Sequence, residues 1–365
     1  MGVGRLAWSG LRERVPRVVL KGTRDTERRP QSRSTPLLPR VGHVAFTLCA
    51  ALVVLVMATI FLFVSLNAYQ TFTVDHISPA AFFASPVWRP DDGKVGALVL
   101  LVGSVTATVL AVLVSTPISV GLAVFVTQMA PHWARRIMQP VIELLTGIPS
   151  IIYGFLGLTL VVPLVARIYN SISGGRFSTG FGIIAAALVL AVMILPTITT
   201  IAIDTLAALP GGLREASLAL GATRWQTIRK TLLPAASSGI ATGIVLGMGR
   251  AIGETLAVSY VIGSSANSFP LKISSVYPYV TFPPTSTITV QLLFDFGEAP
   301  NPSLNYHAIW TLAFMLLLIS CLLVSTSRWI AARSVYQAPR EKPEGGRVRQ
   351  ARQAMRTAIA RRMGA

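Results

Sequence analysis

The stretch "LPGGLREASLALGATRWQTIRKTLLP", residues 209–234, separates two long apolar runs and differs from them in its charged residues and glycines. Pro210 and the two glycines after it break the preceding run, because neither residue type favours a helix interior. Apolar side chains then recur at the i, i+3 and i+7 spacing of one helical face, namely Leu213, Ala216 and Leu220. We therefore expect a short helix with Glu215 in its first turn, where a carboxylate stabilises the helix dipole.

A second short helix is predicted to follow the first directly. Gly221 is placed to cap the C-terminus of the first helix. Thr223 and Gln226 have the spacing of a capping box, which marks the start of the second. Pro234 then restarts the chain in apolar surroundings. Two short helices joined this tightly form a compact element suited to docking against another protein, and a generic interfacial amphipathic helix is the alternative.

The composition on either side of this element is that of an integral membrane protein. Of the 365 residues, 52% are hydrophobic and 13% are charged, whereas soluble domains carry about 25% charged residues. We predict an all-α protein with six transmembrane helices, the second of them extended and bent near Pro117. The expected spans are approximately 44–66, 95–130, 137–166, 177–203, 234–263 and 307–327.

Basic residues are concentrated on one side of these spans. Residues 1–43 and 328–365 each hold ten Lys and Arg. With the N-terminus in the cytoplasm, the cytoplasmic segments together hold 26 Lys and Arg and the exterior segments hold five. The positive-inside rule therefore places both termini in the cytoplasm. The charge follows membrane orientation and does not indicate nucleic acid. We expect two basic tails, the first with a disordered composition, around a single membrane domain at 44–327.

Several kinds of chemistry find no support in the sequence. The chain contains no G-x-x-x-x-G-K-[ST] motif, so a nucleotide-driven process must take its energy from another polypeptide. The four histidines are isolated, and Cys49 and Cys321 both lie in apolar runs. We therefore predict no metal, no cofactor and no enzymatic activity.

The 209–234 loop resembles the EAA motif of ABC-importer permeases. The motif E-A-A-x3-G-x9-I-x-L-P is matched with small shifts in spacing by Glu215, Ala216, Ser217, Gly221, Ile228, Leu233 and Pro234. In that family the loop forms the coupling helix, which inserts into a cleft of the ATPase subunit. The resemblance therefore implies that six of these residues couple the chain to an ATPase, namely Glu215, Ala216, Ser217, Gly221, Leu233 and Pro234.

Three further stretches resemble the C-type permeases of phosphate-specific ABC transporters. They are "GIPSIIYGFLGL" (147–158), "GMGRAIGETLAVSYVIG" (247–263) and "TITVQLLFDFGEAP" (287–300). The resemblance covers about residues 95–327, and the basic tails depart from it. It implies a type I ABC-importer fold in the inner (cytoplasmic) membrane. It also implies a homodimeric ATP-binding subunit, a sister A-type permease, an extracytoplasmic phosphate-binding protein, and inorganic phosphate as substrate.

Arg250 and Glu254 are charged residues inside an apolar run. Their spacing of four predicts that they share a helical face about halfway along span five, where a charge costs on the order of 3 kcal/mol. A guanidinium is always charged and its planar fork fits phosphate oxygens, so Arg250 is a candidate for the substrate pathway. Glu254 would keep binding weak enough for release. A buried salt bridge between two helices is the alternative.

Weaker candidates lie elsewhere in the spans. Ser150 and Tyr153 follow a Gly–Pro interruption of span three and could donate to an anion, although a packing kink explains them equally well. Glu143 is expected inside span three and Asp204 at the end of span four. Residues 287–300 suggest a short exterior helix that either seats the binding protein or packs as a loop.

Other functions remain open at this point. The same machine could carry sulfate or molybdate. A secondary transporter could use Arg250 and Glu254 as a proton-linked pair, and a membrane scaffold would use them structurally. The 209–234 loop favours the importer, because a secondary transporter has no ATPase to dock.

Overall fold

The computed structural model describes residues 37–172, 179–270, 272–273, 280–281, 283–300 and 302–333. Most of the two predicted tails, 1–36 and 334–365, therefore lies outside the described residues. By internal contacts the chain divides into residues 1–57 and 58–365. The described part of the first unit is helical, and the arrangement below concerns the second unit.

The described parts of the chain contain thirteen α-helices and two short antiparallel strand pairs, β1–β2 and β3–β4. The helices are α1 Leu37–Thr73, α2 Pro79–Ala84, α3 Leu98–Val124, α4 His132–Gly147, α5 Ser150–Leu156, α6 Val162–Ile172, α7 Ile183–Ala207, α8 Gly211–Ala219, α9 Arg224–Thr227, α10 Leu233–Gly253, α11 Leu256–Ile262, α12 Ile288–Asp295 and α13 Leu304–Arg333. The strands are β1 Trp88–Arg89, β2 Lys94–Val95, β3 Lys272–Ile273 and β4 Val280–Thr281. Short π-helical turns lie at Phe125–Met129, Gly157–Val161 and Ile228–Leu232.

Six helical stretches are long and apolar enough to cross a membrane, as predicted. They are Val44–Thr73, Leu98–Met129, Ser150–Ser171, Ile183–Ala207, Arg224–Gly253 and Leu304–Ile330. A helix satisfies most backbone polar groups within its own segment, which is what hydrocarbon surroundings demand.

Two of the predicted span boundaries are wrong for identifiable reasons. Ile148 and Pro149 are extended, so the chain breaks there and α4 is a helix separate from span three. Glu143 accordingly lies on α4, exposed, and not within span three. At the other boundary, α9 continues through the π turn into α10. The second short helix is therefore the first part of span five, and Pro234 does not start a new helix.

The core is centred on α7, where 67% of an 18-residue apolar stretch is buried. Small side chains let α3 and α10 approach it closely, including Ala107 and Ala111 of α3. On α10, Gly243 and Gly247 face Ile201 and Ile198 of α7, and a Cβ added to either glycine would lie 3.1 or 2.9 Å from them. Glycines four residues apart permit this close helix packing.

The connection between spans five and six folds back against the bundle. The backbone N–H of Ile288 donates to Ser104 Oγ of α3 (2.9 Å). Thr287 caps the N-terminus of α12, which confirms a short helix in the 287–300 stretch. At the start of α13, His307 Nδ1 lies 2.8 Å from Asp75 Oδ2, which follows α1. These polar contacts hold the helix ends of the second unit together.

Candidate functional site

Span five ends in a helix break at Glu254 and Thr255. Glu254 has extended backbone angles (φ −74°, ψ 126°), and α11 begins two residues later. The Ala257 N–H donates to Glu254 Oε1 (3.2 Å), and the Thr289 hydroxyl donates to the Glu254 carbonyl (3.0 Å). The Glu254 side chain therefore caps the first turn of α11, where a carboxylate is favourable.

This break corrects the predicted placement of the charged pair. Arg250 lies in the last turn of α10, and not halfway along a longer helix. Glu254 lies outside α10, so the two residues do not share a helical face. Among the described residues, the ion pairs within 4.0 Å are Arg89–Asp92 and Asp75–His307. The buried salt bridge considered for Arg250 and Glu254 is thus not formed.

Arg250 is instead held by span four. Its Nη1 donates to Thr197 Oγ1 of α7 (3.0 Å), and its side chain is half-buried. A guanidinium offers five N–H donors, and the other four have no acceptor among the described residues. Because Arg250 sits at the C-terminus of α10, the helix dipole stabilises its charge.

The surface of α10 beside Arg250 is open. A Cβ added to Gly249 or Gly253 would meet no atom within 4 Å, whereas Gly243 and Gly247 pack against α7. The glycines of α10 therefore serve two purposes: Gly243 and Gly247 allow close helix packing, and Gly249 and Gly253 leave space next to the guanidinium. That space and the unused N–H groups suit a small anion.

Tyr153 and Ser150 lie on α5 with different surroundings. Tyr153 is buried, and its hydroxyl donates to the Leu145 carbonyl of α4 (2.7 Å) across the 148–149 break. Its donor is therefore occupied. Ser150 is half-buried, and its hydroxyl has no partner in the described ranges. The Arg250 guanidinium donates to Thr197 and makes no hydrogen bond to either of these two residues.

The first helix of the 209–234 loop is present as predicted. Gly221 has φ +83°, and its N–H donates to the Leu218 carbonyl (3.0 Å), which closes α8. Thr223 and Gln226 form the predicted capping box. Ser217 Oγ lies 3.0 Å from Thr227 Oγ1, which fastens α8 to the first turn of span five. Local hydrogen bonds thus fix the shape of this loop.

Three details of this loop differ from the expectation. Glu215 is the fifth residue of α8 and not in its first turn, and it is exposed. Leu220, predicted on the apolar stripe of this helix, instead follows the end of α8 and is 89% exposed. Leu233 and Pro234 lie further along the continuous helix of span five. Ala216 and Glu215 remain on the exposed surface beside Leu220.

Exposed apolar side chains make the loop a surface suited to docking. Leu220 and Trp225 are 89% and 61% exposed although both are large and apolar. Cavities of about 290 and 530 Å³ flank α8, the first lined in part by Trp225 and the second by Leu220. Leu220 belongs to the apolar stripe predicted for this docking element, and its exposure follows from the end of α8 at Ala219.

Comparison with known proteins supplies the identity of this arrangement. The family model described as the binding-protein-dependent transport system inner membrane component matches residues 115–336. The chain belongs to this family. It is therefore an ABC-importer permease component of the cytoplasmic membrane, multi-pass and not an enzyme, and it works with an ATP-binding subunit and a substrate-binding protein.

Individual relatives of this permease cover most of its length. It is 40% identical over 311 residues to YqgH of Bacillus subtilis, a probable ABC transporter permease protein, covering 84% of this chain and 96% of the relative. It is 32% identical over 338 residues to the phosphate transport system permease protein PstC of Mesorhizobium japonicum, covering 89% and 98%. PstC of Pasteurella multocida is 37% identical over 273 residues, covering 71% and 79%.

Among solved structures, the permease is similar to a chain of the MetNI methionine ABC transporter in inward-facing conformations. The sequence identity is 21% and the TM-score 0.44, with 66% of this chain and 94% of the other covered.

Sequence reasoning did not identify Thr197 as the partner of Arg250. Thr197 lies in the hydroxyl-rich stretch "PTITT" at 196–200 of span four. Several hydroxyls in an apolar span were a usable indication of a polar surface, but their spacing does not show which of them faces span five.

Proposed function

We propose that this permease carries inorganic phosphate into the cell, in a complex with a homodimeric ATP-binding subunit, a sister A-type permease and an extracytoplasmic phosphate-binding protein. The names of the PstC relatives support the substrate. The observation that carries the proposal is Arg250, a half-buried cation with four unused N–H donors beside the open Gly249 and Gly253.

Arg250 suits transient binding of phosphate in chemical terms. A permanently charged planar fork offers paired hydrogen bonds to the oxygens of a tetrahedral anion. Because the side chain is only half-buried, its field is partly screened by solvent and partners. Glu254 caps α11 and leaves the guanidinium without a neutralising partner within 4.0 Å in the described part of the chain. A single cation of this kind attracts the anion without trapping it.

The α8 surface is the proposed ATPase contact of this permease. Glu215, Ala216, Ser217 and Gly221 are placed by α8 and its C-terminal cap. Leu220 would insert as the apolar anchor of the contact. Leu233 and Pro234 would contribute through the helix that continues from the loop.

Uptake into membrane vesicles that contain the complete complex tests the substrate. We expect ATP-dependent accumulation of radiolabelled phosphate that an excess of unlabelled phosphate abolishes and an equal excess of sulfate or molybdate leaves unchanged. The reason is that the binding protein and the permease pathway would both bind phosphate. If sulfate or molybdate competed as strongly as phosphate, the proposal would be contradicted, and that other oxyanion would be the substrate.

Thiol labelling of intact cells tests the proposed orientation, with both termini in the cytoplasm. Cysteines introduced at Ser34 and Ser334, which lie outside the described residues, are expected to resist a membrane-impermeant reagent. Cys49 and Cys321 are replaced by serine in all variants. A cysteine at Asp91, exposed in the β1–β2 connection, is the exterior control. If either terminal cysteine reacts as fast as the one at position 91, the orientation is wrong.

A further inference from the structure

Threonines in the spans of this protein usually donate their hydroxyl proton to their own helix. In α7, Thr199 donates to the Leu195 carbonyl (2.8 Å) and Thr200 to the Pro196 carbonyl (2.9 Å). Thr205 does the same with the Ile201 carbonyl (2.7 Å). This local bond satisfies a hydroxyl in apolar surroundings without any other helix.

Thr197 is the exception within this stretch of α7. Its oxygen accepts from Arg250 Nη1 (3.0 Å), and its hydroxyl proton reaches no acceptor among the described residues. The side chain is half-buried. This hydroxyl is thus available to donate to an acceptor that approaches α7, which the hydroxyls of Thr199 and Thr200 are not.

An acceptor for the Thr197 proton would bind next to Arg250, which also has unused donors. Thr197 Oγ1 accepts a hydrogen bond from the Arg250 guanidinium. The hydroxyl proton of Thr197 therefore points away from the guanidinium N–H that it accepts. The oxygens of an oxyanion act mainly as hydrogen-bond acceptors. Hydrogen bonds to a charged acceptor are stronger than those between neutral groups. A guanidinium from α10 and a hydroxyl from α7 together offer donors to two oxygens of one tetrahedral oxyanion.

We propose that Thr197 is a positioning and anion-binding residue of the transport pathway. Its oxygen orients the guanidinium of Arg250, and its proton is donated to the oxyanion that Arg250 binds. This inference rests on the proposed function of Arg250 and adds span four to the pathway. The neighbouring Thr199 and Thr200 take no part, because their protons are used within α7.

The test compares Thr197→Val with Thr197→Ser and with the matched control Thr200→Val. Thr200 lies three residues after Thr197 on α7 and is also half-buried. Its hydroxyl donates to the Pro196 carbonyl of the same helix. Each variant is made in the full complex, and ATP-driven uptake of radiolabelled phosphate is normalised to the amount of permease that co-purifies with the ATP-binding subunit. If valine at position 197 impairs assembly, Thr197→Ala carries the same expectation.

For Thr197→Val we expect the maximal uptake rate per complex to fall about tenfold, the usual effect of losing a hydrogen bond to a charged group. The external phosphate concentration for half-maximal uptake should not change, because the binding protein captures external phosphate. Thr197→Ser, which retains the hydroxyl, should recover to within about twofold of the original rate.

Equal rates for Thr197→Val and Thr200→Val would overturn the inference, and so would a serine variant as slow as the valine variant. Arg250→Gln, measured in parallel, separates the two levels of the argument. If Arg250→Gln transports normally, the proposed role of Arg250 fails. If Arg250→Gln is inactive while Thr197→Val is normal, only the role of Thr197 fails.

Discussion

Replacing Arg250 with glutamine is expected to lower phosphate uptake at least about 100-fold, since a hydrogen bond to a charged group contributes up to about 3 kcal/mol and the paired fork is lost as well. Glutamine keeps some length and one donor group, but a neutral amide cannot offset the desolvation of phosphate. Arg250→Lys should recover part of the rate, because lysine restores charge without the planar fork. Uptake is measured in vesicles and normalised to co-purified ATP-binding subunit.

Arg135→Gln is the matched control for this loss of charge. Arg135 is exposed on α4, and its guanidinium donates to the Thr127 carbonyl (3.4 Å), so its replacement should leave the uptake rate unchanged. The double variant Arg250→Leu/Glu254→Leu gives the sharpest opposing result. If the two residues served only as a structural pair, the double variant would regain uptake. Since they form no ion pair in the structure, we expect it to remain inactive.

Gly221→Pro is expected to abolish ATP-driven uptake and to reduce co-purification of the ATP-binding subunit at least about tenfold, through a backbone change alone. Gly221 has φ +83°, whereas proline is restricted to about −65°. Proline also removes the N–H that donates to the Leu218 carbonyl (3.0 Å). The cap of α8 is then lost, and Leu220 beside it is displaced.

Gly211→Pro in the same helix controls for the introduction of proline. Gly211 is the first residue of α8, with open space around it and an extended residue before it, and this position tolerates proline. Uptake should therefore persist.

Glu215→Lys changes the exposed surface without changing the backbone, so it should weaken docking while α8 stays intact. Wild-type co-purification and uptake by Gly221→Pro would remove α8 from the proposed ATPase contact.

Those parts of the fold that depend on local sequence were predictable. Span number follows from the length and hydrophobicity of each run, because every backbone polar group in a membrane must be satisfied within its own helix. The cap at Gly221 and the Thr223–Gln226 box involve residues within a few positions of each other. In both cases the partners are visible in a short stretch of sequence.

Features that depend on distant partners were not predictable. The break after Gly253 contains no proline, and the Glu254 carbonyl is bonded to Thr289, 35 residues away. The partner of Arg250 is Thr197, 53 residues earlier. No periodicity or spacing indicates which threonine of span four faces span five. The arrangement of the candidate site therefore required the tertiary packing of α7, α10 and α12.

The unbroken helix from Arg224 to Gly253 connects two distant sites. It begins next to α8 and carries Arg250 in its last turn. Arg250 lies about 39 Å along the axis from Arg224, at 1.5 Å of rise per residue. A tilt of about 5° around the α8 end would therefore carry Arg250 sideways by about 3 Å, beyond the reach of a hydrogen bond to Thr197. A small rotation imposed on the loop end would thus be enough to break the hydrogen bond between Arg250 and Thr197.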